Sequence, residues 1–470
     1  MDHNLTGISS FKRCMTLHRR YPPPPGGIPR NSACEISMRP LQYAQRFTPA
    51  LLLLVLWAPG CAPFTPQPLN PAAQAARLTG RQLAAKTWTL QSLTAEAIQH
   101  HPDIAVARAK YDQALAAVRT SGERPNPTLA VSTQTVTPYT KWVAGTYGLD
   151  FDWSFETAGK RSQRLNAAHA LVRTAAAGVI DATWKVRSAV RKAYLEVYAA
   201  GQREKLLQQA IAQQEELLQV LEERVKAGAE SRRATSQARL LQAQLKLQAA
   251  EAARQGTLSR ASLAEALAMS LQGLDRASFS FTSLDNTHPP APDRKYALTH
   301  RADVLASLAG YAAAEAALRL EIAKQYPDIH LNPGYALDSG ENKWAFGIGL
   351  TLPLLNRNEG AIGEAEAQRA EAAASFDAVQ ARVLADYDRA AAALAAARRK
   401  AATTDALLAE QASLIGTEER LIRAGSGDRT ALLSAKVERI TTEASRIDTL
   451  AELKAALGAL EGATQTPSAP

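Results

Sequence analysis

The sequence has few of the residues that build catalytic or metal-binding centres. Its three cysteines, at positions 14, 34 and 61, lie near the N-terminus, so no disulfide framework can cross-link the rest of the chain. Met269 is the only methionine after Met38, which gives no support to a relay of soft metal ions. Gly425-Ser426-Gly427 lacks the strand and the lysine of a phosphate-binding loop. These absences predict a chain with no catalytic residues, no cofactor and no metal site.

Aromatic residues and net charge are also scarce. Aromatics make up 6% of the chain, and the apolar residues are mostly alanine and leucine, which favours long packed helices over a large mixed core. Of the net charge of +9, the first 60 residues hold +5, and the remaining 47 basic and 43 acidic residues leave +4. A nearly balanced body argues against nucleic-acid binding, which requires a clustered basic face.

The N-terminal region has the pattern of an export signal. Arg39 and Arg46 precede an apolar run at 51–57, which leads into Ala58, Pro59, Gly60 and Cys61. The run is too short for a transmembrane helix, which needs about 20 residues. This region resembles a bacterial lipoprotein signal, in which the cysteine becomes the lipidated first residue. An ordinary secretory signal with an incidental cysteine is the alternative.

These features divide the N-terminal part into three segments. A start at Met38 would give a signal peptide at 38–60, so residues 1–37 are predicted to be a mis-assigned start or a disordered extension. Residues 61–88 are rich in proline at their beginning and lack strong periodicity, so they are predicted to form an extended tether that begins at the lipidated Cys61.

The rest of the chain contains one unit twice. Five residues recur 200 positions later: His100, Asp103, Tyr111, Ala114 and Pro127 return as His300, Asp303, Tyr311, Ala314 and Pro327. We therefore predict repeats at 89–271 and 299–462, a connector at 272–298 and a disordered tail at 463–470. Two copies of one unit indicate a quasi-symmetric object in which each copy supplies half of a shared wall.

Each repeat contains two segments with strand periodicity. Odd positions from 147 to 155 are large and apolar, and even positions from 344 to 354 continue the pattern in the second repeat. Segments 128–136 and 329–337 supply the preceding strands. Strands of about 9 to 11 residues suit a tilted crossing of a bilayer, although a strand of a soluble sandwich alternates in the same way. In a membrane, the opposite face would meet a water-filled lumen; its acidic residues are Asp150, Asp152 and Asp338.

Long helices follow each strand pair. We predict helices at 92–123, 158–227 and 232–271 in the first repeat and at 359–424 and 429–461 in the second. Apolar residues at heptad spacing, with much alanine between them, favour close coiled-coil packing. Gly228 and Gly425 suit the left-handed position that ends a helix, and Ser231 and Asp428 can cap the returning helices. The helices 92–123 and 232–271 together match the length of helix 158–227, so they can stack beside it.

Four strands are too few to close a transmembrane barrel, for which eight is the small end. If they cross a membrane, several chains must contribute strands to one barrel. The predicted class is therefore mainly α with a membrane β part, made from a duplicated unit of two strands and long coiled-coil helices.

Several motifs, in this order and within a duplicated chain, resemble the TolC-type outer-membrane efflux channels. They are Leu93-Thr94-Ala95-Glu96-Ala97-Ile98, Arg124-Pro125-Asn126-Pro127-Thr128-Leu129, Phe155-Glu156-Thr157-Ala158-Gly159-Lys160-Arg161 and Leu352-Pro353-Leu354-Leu355-Asn356-Arg357. The resemblance covers about residues 89–462. The second and third motifs look most like the CzcC-like branch of the family, which is associated with export of divalent heavy metals.

This resemblance implies a homotrimer with a 12-stranded β-barrel continuous with an α-barrel tunnel. It implies an outer-membrane location in a Gram-negative bacterium, a periplasmic membrane-fusion adaptor and an inner-membrane RND transporter as partners, and a passive duct that is not an enzyme. The hairpin ends resemble the family's adaptor-docking and gate region. The docking candidates are Val225, Gly228, Ile422 and Gly425, and the gate candidates are Glu419, Arg423 and Asp428.

Two other readings stay open at this level. A duct for drugs or organic solutes, or one for type I protein secretion, would share the same fold and differ in its partners. A periplasm-spanning coiled-coil lipoprotein without a pore belongs to another class, but it has no use for four segments with a continuous apolar face.

Overall fold

The computed structural model describes residues 64–135, 145–281 and 293–466. The chain divides into two units, Met1–Pro68 and Leu69–Pro470, and all the described helices and strands lie in the second unit. The predicted extension at 1–37, the signal peptide at 38–60 and Cys61 fall outside the described residues.

The described helices are α1 (Pro71–Thr79), α2 (Leu90–His100), α3 (Pro102–Ser121), α4 (Lys160–Lys226), α5 (Arg232–Ala266), α6 (Arg294–His300), α7 (Ala302–Ala323), α8 (Glu359–Arg423) and α9 (Arg429–Thr464). The described strands are β1 (Thr87–Trp88), β2 (Thr128–Thr135), β3 (Gly145–Phe155), β4 (Ser278–Phe279), β5 (Ile329–Asp338) and β6 (Glu341–Leu350). A short 3₁₀ turn covers Leu271–Leu274. Within the described residues, no helix has an apolar stretch long enough to cross a membrane.

The main sheet has the order β2-β3-β5-β6 and is antiparallel throughout. Its register places Val131 opposite Leu149, Leu149 opposite Tyr335, and Tyr335 opposite Trp344. Because side chains alternate between the faces of a strand, these four lie on one face. Each repeat thus supplies one hairpin, and the two hairpins join through β3 and β5.

The other face of the sheet is made of small and polar residues. A Cβ atom at Gly148 would lie 2.4 Å from Ser132 Oγ, and one at Gly334 would lie 2.9 Å from Asp150 Oδ1. Neighbouring side chains therefore cover both glycines, and larger residues at these positions would have to displace them.

Strand β6 does not have the predicted bounds. It begins at Glu341 and ends at Leu350, whereas the alternating pattern predicts a strand through Leu354. Beyond it, the Leu354 N–H donates to the Leu352 carbonyl oxygen at 2.9 Å, which turns the backbone out of the extended conformation. Pro353 lies in this turn and has no N–H to contribute to a ladder.

The helix predicted at 92–123 is wrong as a single element. The chain forms α2 and α3, separated at His101, which has an extended backbone with ψ 129°. Pro102 is the reason, because a proline disfavours the helical conformation in the residue before it and suits the first position of a new helix. His101 then caps α3, since its Nδ1 accepts the Asp103 N–H at 3.2 Å.

The long helices α4 and α8 begin and end within two residues of their predicted bounds. Helix α3 packs beside the start of α4, and α5 packs beside its far end, where Gln214 Nε2 donates to the Ala238 carbonyl oxygen at 2.9 Å. The stacking of two shorter helices along one long helix is therefore confirmed. Helix α5 ends five residues before its predicted bound, and α9 continues three residues past its own.

Residues 71–88 do not form the extended tether that the sequence predicts. Asn70 caps α1 by accepting the N–H groups of Ala72 and Ala73, and β1 pairs in parallel with β4 from the connector. Leu83 and Trp88 are buried in the main core. Apolar side chains that can be buried outweigh the lack of periodicity here.

The main core lies near the middle of α4, around Tyr194. This side chain is fully buried, and its hydroxyl donates to the Ser280 carbonyl oxygen. Burial raises the pKa of Tyr194 to about 12. The connector and the N-terminal segment thus both pack against the first repeat.

A buried carboxylate joins α9 to α4. Glu461 is 2% exposed and accepts a bond from Arg187 Nη2 at 2.5 Å and another from Arg191 Nη1. Gly458 lies against Arg191, since an added Cβ atom would be 2.8 Å from Arg191 Cδ. The small residue at 458 leaves room for this arginine, which is itself buried.

Candidate functional site

The apolar face of the sheet is exposed to an extent unusual for a folded chain. On β6 alone, Trp344 is 83% exposed, Phe346 70% and Ile348 64%. The exposed large residues on the other strands of this face are Leu129, Val131, Tyr147, Leu149, Phe151, Trp153, Phe155 and Ile329. A continuous exposed apolar face of this kind marks a surface that meets a membrane or another protein.

The three predicted lumen residues share the opposite, polar face, but they do not converge on one point. Asp152 Oδ1 lies 3.0 Å from His330 Nδ1, and Asp338 accepts bonds from Thr146 and Lys343. Asp150 lies against Gly334. Within the part of the chain that the structure describes, no group of three acidic, histidine or cysteine side chains could hold a metal ion. The arrangement can line a polar surface with acidic groups.

Sequence reasoning missed a polar junction between the sheet and the helices. Lys160 is 7% exposed, and its Nζ donates to the Tyr326 carbonyl oxygen and to Asp328 Oδ1, each at 2.7 Å. The Thr157 N–H donates to the same Asp328 oxygen at 3.0 Å. Burial alone would raise the pKa of Asp328, but the bonds from Lys160 and Thr157 and the charge of Lys160 outweigh it and lower that pKa below its ordinary value.

The backbone explains how Lys160 reaches this position. Ala158 and Gly159 both have positive φ, 54° and 71°, so the chain turns sharply between β3 and α4. This turn places the first residue of α4 beneath the start of β5. The sequence held one sign of this junction, because the second repeat has Asp328 after its proline where the first repeat has Thr128. This difference did not show which residue the aspartate would contact.

The hairpin ends have the predicted glycine caps. Gly228 and Gly425 have φ of 73° and 76°, which glycine adopts without steric cost. The Ala229 N–H donates to the Arg224 carbonyl oxygen at 2.8 Å, and the Ser426 N–H donates to the Leu421 carbonyl oxygen at 3.0 Å. Both helices therefore end in the same Schellman motif.

The two returning helices differ in their N-terminal caps. Asp428 caps α9 as predicted, because its Oδ1 accepts the Thr430 N–H at 3.0 Å. The prediction for Ser231 is wrong, since this side chain makes no capping bond to α5. The neighbouring Glu230 carboxylate instead accepts the Ser231 N–H at 2.9 Å.

The three gate candidates are not brought together. Asp428 pairs with Arg224 of the other hairpin at 2.6 Å, and Glu419 pairs with Lys436 at 3.4 Å. Arg423 Nε donates to the Glu419 carbonyl oxygen of its own helix at 3.2 Å. Sequence reasoning missed Arg224 and Lys436 as partners, because nothing in the pattern showed which charges would face across the hairpins.

The pairing with Arg224 lowers the pKa of the Asp428 carboxyl group. Its burial would raise its pKa, but the bonds from Arg224 and Thr430 and the charge of Arg224 lower the pKa below the ordinary range. The Asp428 carboxylate therefore stays ionised over the whole neutral range. It is half exposed, so salt in the solvent will screen it.

Of the docking candidates, Gly228 and Gly425 are exposed, and Val225 and Ile422 are partly buried. The structure adds Gly427, which sequence reasoning missed. A Cβ atom there would lie 2.4 Å from the Ile422 backbone nitrogen and 2.7 Å from Ile422 Cγ1. The second hairpin end is therefore packed tightly around a glycine that the first one does not need.

Known proteins are similar to this chain in sequence or in fold. Over 280 residues the chain is 26% identical to the cobalt-zinc-cadmium resistance protein CzcC of Cupriavidus metallidurans, and the match spans 59% of this chain and 66% of CzcC. The fold resembles the outer membrane protein VceC of Vibrio cholerae, with a TM-score of 0.64, 22% identity, and coverage of 80% and 95% of the two chains. It also resembles the outer-membrane channel OprN, with a TM-score of 0.67, 18% identity, and coverage of 87% and 99%.

The family model described as "Outer membrane efflux protein" matches residues 93–269 and 294–464. The first stretch runs from α2 past the end of α5, and the second runs from α6 to the end of α9. The match therefore covers both repeats. The description is that of an efflux protein and not of an enzyme class. The chain belongs to the outer membrane efflux protein family.

Proposed function

We propose that three copies of this chain form a passive duct that carries solutes across the periplasm and the outer membrane as the outer component of a tripartite RND-type efflux pump. The observation that carries this proposal is the main sheet, which has one exposed apolar face and one polar face. Among the residues that the structure describes, its outer strands β2 and β6 have no partner on their outer edges. Such a sheet suits lipid on one side and water on the other.

The number of strands supports assembly. Four strands cannot close around a lumen, whereas twelve strands from three copies lie within the range of membrane barrels. Closure would pair every β6 with the β2 of the next copy and leave no edge open. An unpaired edge in the bilayer is costly, because lipid offers no hydrogen bonds to its N–H and carbonyl groups.

The long helices support a role that extends away from the membrane. Helix α4 has 67 residues, which at 1.5 Å per residue gives a length of about 100 Å. In the assembled protein, twelve helical columns from three copies would continue the barrel as a tunnel. The hairpin ends would then lie far from the sheet, where an adaptor from the inner membrane can reach them.

The hairpin ends are the proposed contact with the membrane-fusion adaptor. Val225, Gly228, Ile422 and Gly425 surround the two Schellman turns, where exposed backbone and partly buried apolar side chains lie side by side. The Arg224–Asp428 pair joins the two hairpins of one chain at this level. It is the best candidate for a contact that holds the end of the tunnel narrow, whereas Glu419 pairs with Lys436 and Arg423 bonds the backbone of its own helix.

Divalent heavy-metal cations are the proposed cargo. The similarity to CzcC points to this class, and the polar sheet face, with Asp150, Asp152 and Asp338, would give the lumen an acidic lining. Such a lining favours cations over anions without binding any of them tightly. Lipid attachment at Cys61 would hold the N-terminal end at the outer membrane.

The first experiment measures conductance in a planar bilayer, together with the oligomer mass in the same detergent. A trimer with discrete current steps would support the duct, whereas a monomer without current would contradict it. Ile348→Asp, on the apolar face, should prevent insertion. Asp152→Asn, on the polar face, should insert normally and lower the preference for cations.

The cargo needs a separate test in cells. Deletion of the gene should raise sensitivity to cobalt, zinc and cadmium salts, and the wild-type chain should restore growth. Sensitivity to organic antibiotics alone would contradict metal cargo and favour a duct for organic solutes.

A further inference from the structure

The internal duplication assigns each residue of β2 and β3 a counterpart in the second repeat. Leu129 pairs with Phe151, and Ile329, which lies 200 positions after Leu129, pairs with Leu350. Phe151 therefore corresponds to Leu350, 199 positions later. The left-handed residues Gly159 and Asn358, which precede the two long helices, are also 199 positions apart.

The join between the repeats supplies a template for the join between copies. Within the chain, β3 of the first repeat pairs with β5 of the second, and this register sets Trp153 opposite Leu331 and Phe155 opposite Ile329. In a closed ring, β6 of one copy must pair with β2 of the next. As in the β3–β5 join, the second strand of one repeat then pairs with the first strand of the repeat that follows. The counterparts of Trp153 and Phe155 are Leu352 and Leu354, and those of Leu331 and Ile329 are Val131 and Leu129.

We propose that β6 extends past Leu350 when copies assemble, so that Leu352 lies opposite Val131 and Leu354 opposite Leu129 of the neighbouring copy. This inference rests on the proposed assembly of the duct and specifies its seam. In the extended strand all four side chains would lie on the apolar face, so the pairing would keep that face continuous across the seam.

Exposure in the single chain agrees with this seam. Leu352 is 63% exposed, Leu354 76%, Val131 60% and Leu129 49%. The adjacent Leu355 is fully exposed, at 103%. Leucines placed beyond the end of a strand and left in solvent indicate a surface that meets lipid or a partner chain.

The chemistry of the seam differs from that of the internal join. At the internal join the buried Lys160 pairs with the partly exposed Asp328, and the counterparts of these two residues across the seam are Glu359 and Thr128. No cation replaces Lys160 there, so the seam depends on leucine packing and ladder bonds. The partner that fits such a surface is a second copy of this chain.

Formation of the seam requires one local change. The turn closed by the bond from the Leu354 N–H to the Leu352 carbonyl oxygen must open, so that both residues become extended. Pro353 would then lie between the two new pairs, as Ser154 lies between Trp153 and Phe155 in the internal join. Pairing of β6 with β5 ends at Leu350, so the nitrogen of Pro353 can face this unpaired side, where the absent N–H costs no ladder bond.

Cysteine cross-linking of the full chain in outer membranes tests the register. Leu352→Cys with Val131→Cys, and Leu354→Cys with Leu129→Cys, should give disulfide-linked oligomers under mild oxidation. The shifted pairs, Leu352→Cys with Leu129→Cys and Leu354→Cys with Val131→Cys, should give at least tenfold less. Trp153→Cys with Leu331→Cys is the intrachain control of equivalent geometry, and the chain without added cysteines gives the background.

The outcomes separate the seam from the assembly. Linked oligomers at the two expected pairs only would support the register. Linked oligomers at a shifted pair would overturn the register and leave the proposed duct intact. So would a chain that is trimeric by mass and forms the intrachain control disulfide, but gives no linked oligomers at any pair. A chain that is monomeric by mass would overturn both.

Discussion

Lys160 and Asp328 join the two repeats at the point where the sheet meets the helices. The lysine belongs to the first turn of α4, the aspartate precedes β5, and Nζ lies 2.7 Å from Oδ1. The lysine side chain is 9% exposed and the aspartate side chain 31%. A charge this deeply buried needs its partner, because water cannot replace it.

We expect Asp328→Asn to destabilise the protein by roughly 2 kcal/mol, since the buried Lys160 loses its counterion. This loss of stability is smaller than the loss expected for a fully buried ion pair, because the aspartate keeps some contact with water. Thermal unfolding in detergent measures it. Asp388→Asn, which removes the exposed pair with Arg294, is the matched control and should change stability little. Equal effects of the two substitutions would contradict a special role for the junction.

The same pair predicts a dependence on pH. The pKa of Asp328 is lower in the folded chain than in the unfolded chain, so its contribution is complete above the unfolded value of about 3.9 and is lost as the pH falls through the lower folded value. The stability difference between wild type and Asp328→Asn should therefore be constant near neutral pH and shrink below about pH 4. A difference that persists unchanged in acid would refute the assignment.

Glu461 offers a stronger case, because it is 2% exposed and accepts bonds from two arginines. Glu461→Gln should lower the unfolding free energy by about 3 kcal/mol, since Arg191 is buried and cannot regain water easily. Glu452→Gln removes an exposed pair with Lys400 from the same helix and should cost less than about 1 kcal/mol. The unfolding midpoints of the two variants test this prediction. If Glu452→Gln lowered the midpoint as much as Glu461→Gln, the effect would be a general one on α9.

Gly427→Ala should disturb the second hairpin end, because its Cβ atom would overlap the backbone nitrogen of Ile422. We expect faster proteolysis at this end and lower stability. Gly178→Ala, at an exposed helical position with open space around it, should instead stabilise by about 0.5–1 kcal/mol. Similar behaviour of the two variants would show that the packing around residue 427 relaxes freely.

Removal of the Arg224–Asp428 pair should act on the channel more than on the fold. Asp428→Asn should change stability by less than about 1 kcal/mol, because both side chains of the pair are more than one third exposed and asparagine can still cap α9. If the pair narrows the tunnel, single-channel conductance should rise. Glu251→Ala, which breaks an exposed pair with Arg254, controls for loss of a surface charge. Unchanged conductance in the Asp428 variant would exclude the pair as a gate.

Sequence patterns were sufficient for the elements that depend on local or periodic signals. The alternation from Tyr147 to Phe155 fixed one strand, the heptads of α4 and α8 fixed the long helices, and Gly228 and Gly425 fixed their ends within two residues. These features follow from backbone sterics and from which face of an element is apolar, both of which are visible in a short stretch of sequence.

The features that sequence reasoning missed depend on residues far apart in the chain. Nothing near Lys160 shows that Asp328 will lie beneath it, and nothing near Asp428 identifies Arg224 as its partner. The prediction of an extended tether at 71–88 failed for a related reason, since Trp88 is buried in a core to which α4, α5 and the distant β4 contribute side chains. The break at His101 was different, because Pro102 marked it plainly and the longer periodic pattern obscured it.

The unequal lengths of the two long helices have a consequence for any protein that binds the hairpin ends. Helix α8 has 65 residues and α4 has 67, although both follow equivalent left-handed turns and end in equivalent caps. Two residues correspond to a rotation of about 200° and a height of about 3 Å. Val225 and Ile422 thus hold the same place in their caps, but ideal helix geometry sets them in different directions relative to the turns that begin their helices. We expect their replacement by alanine to weaken adaptor binding unequally, so that one chain presents two distinct contacts and not one contact twice.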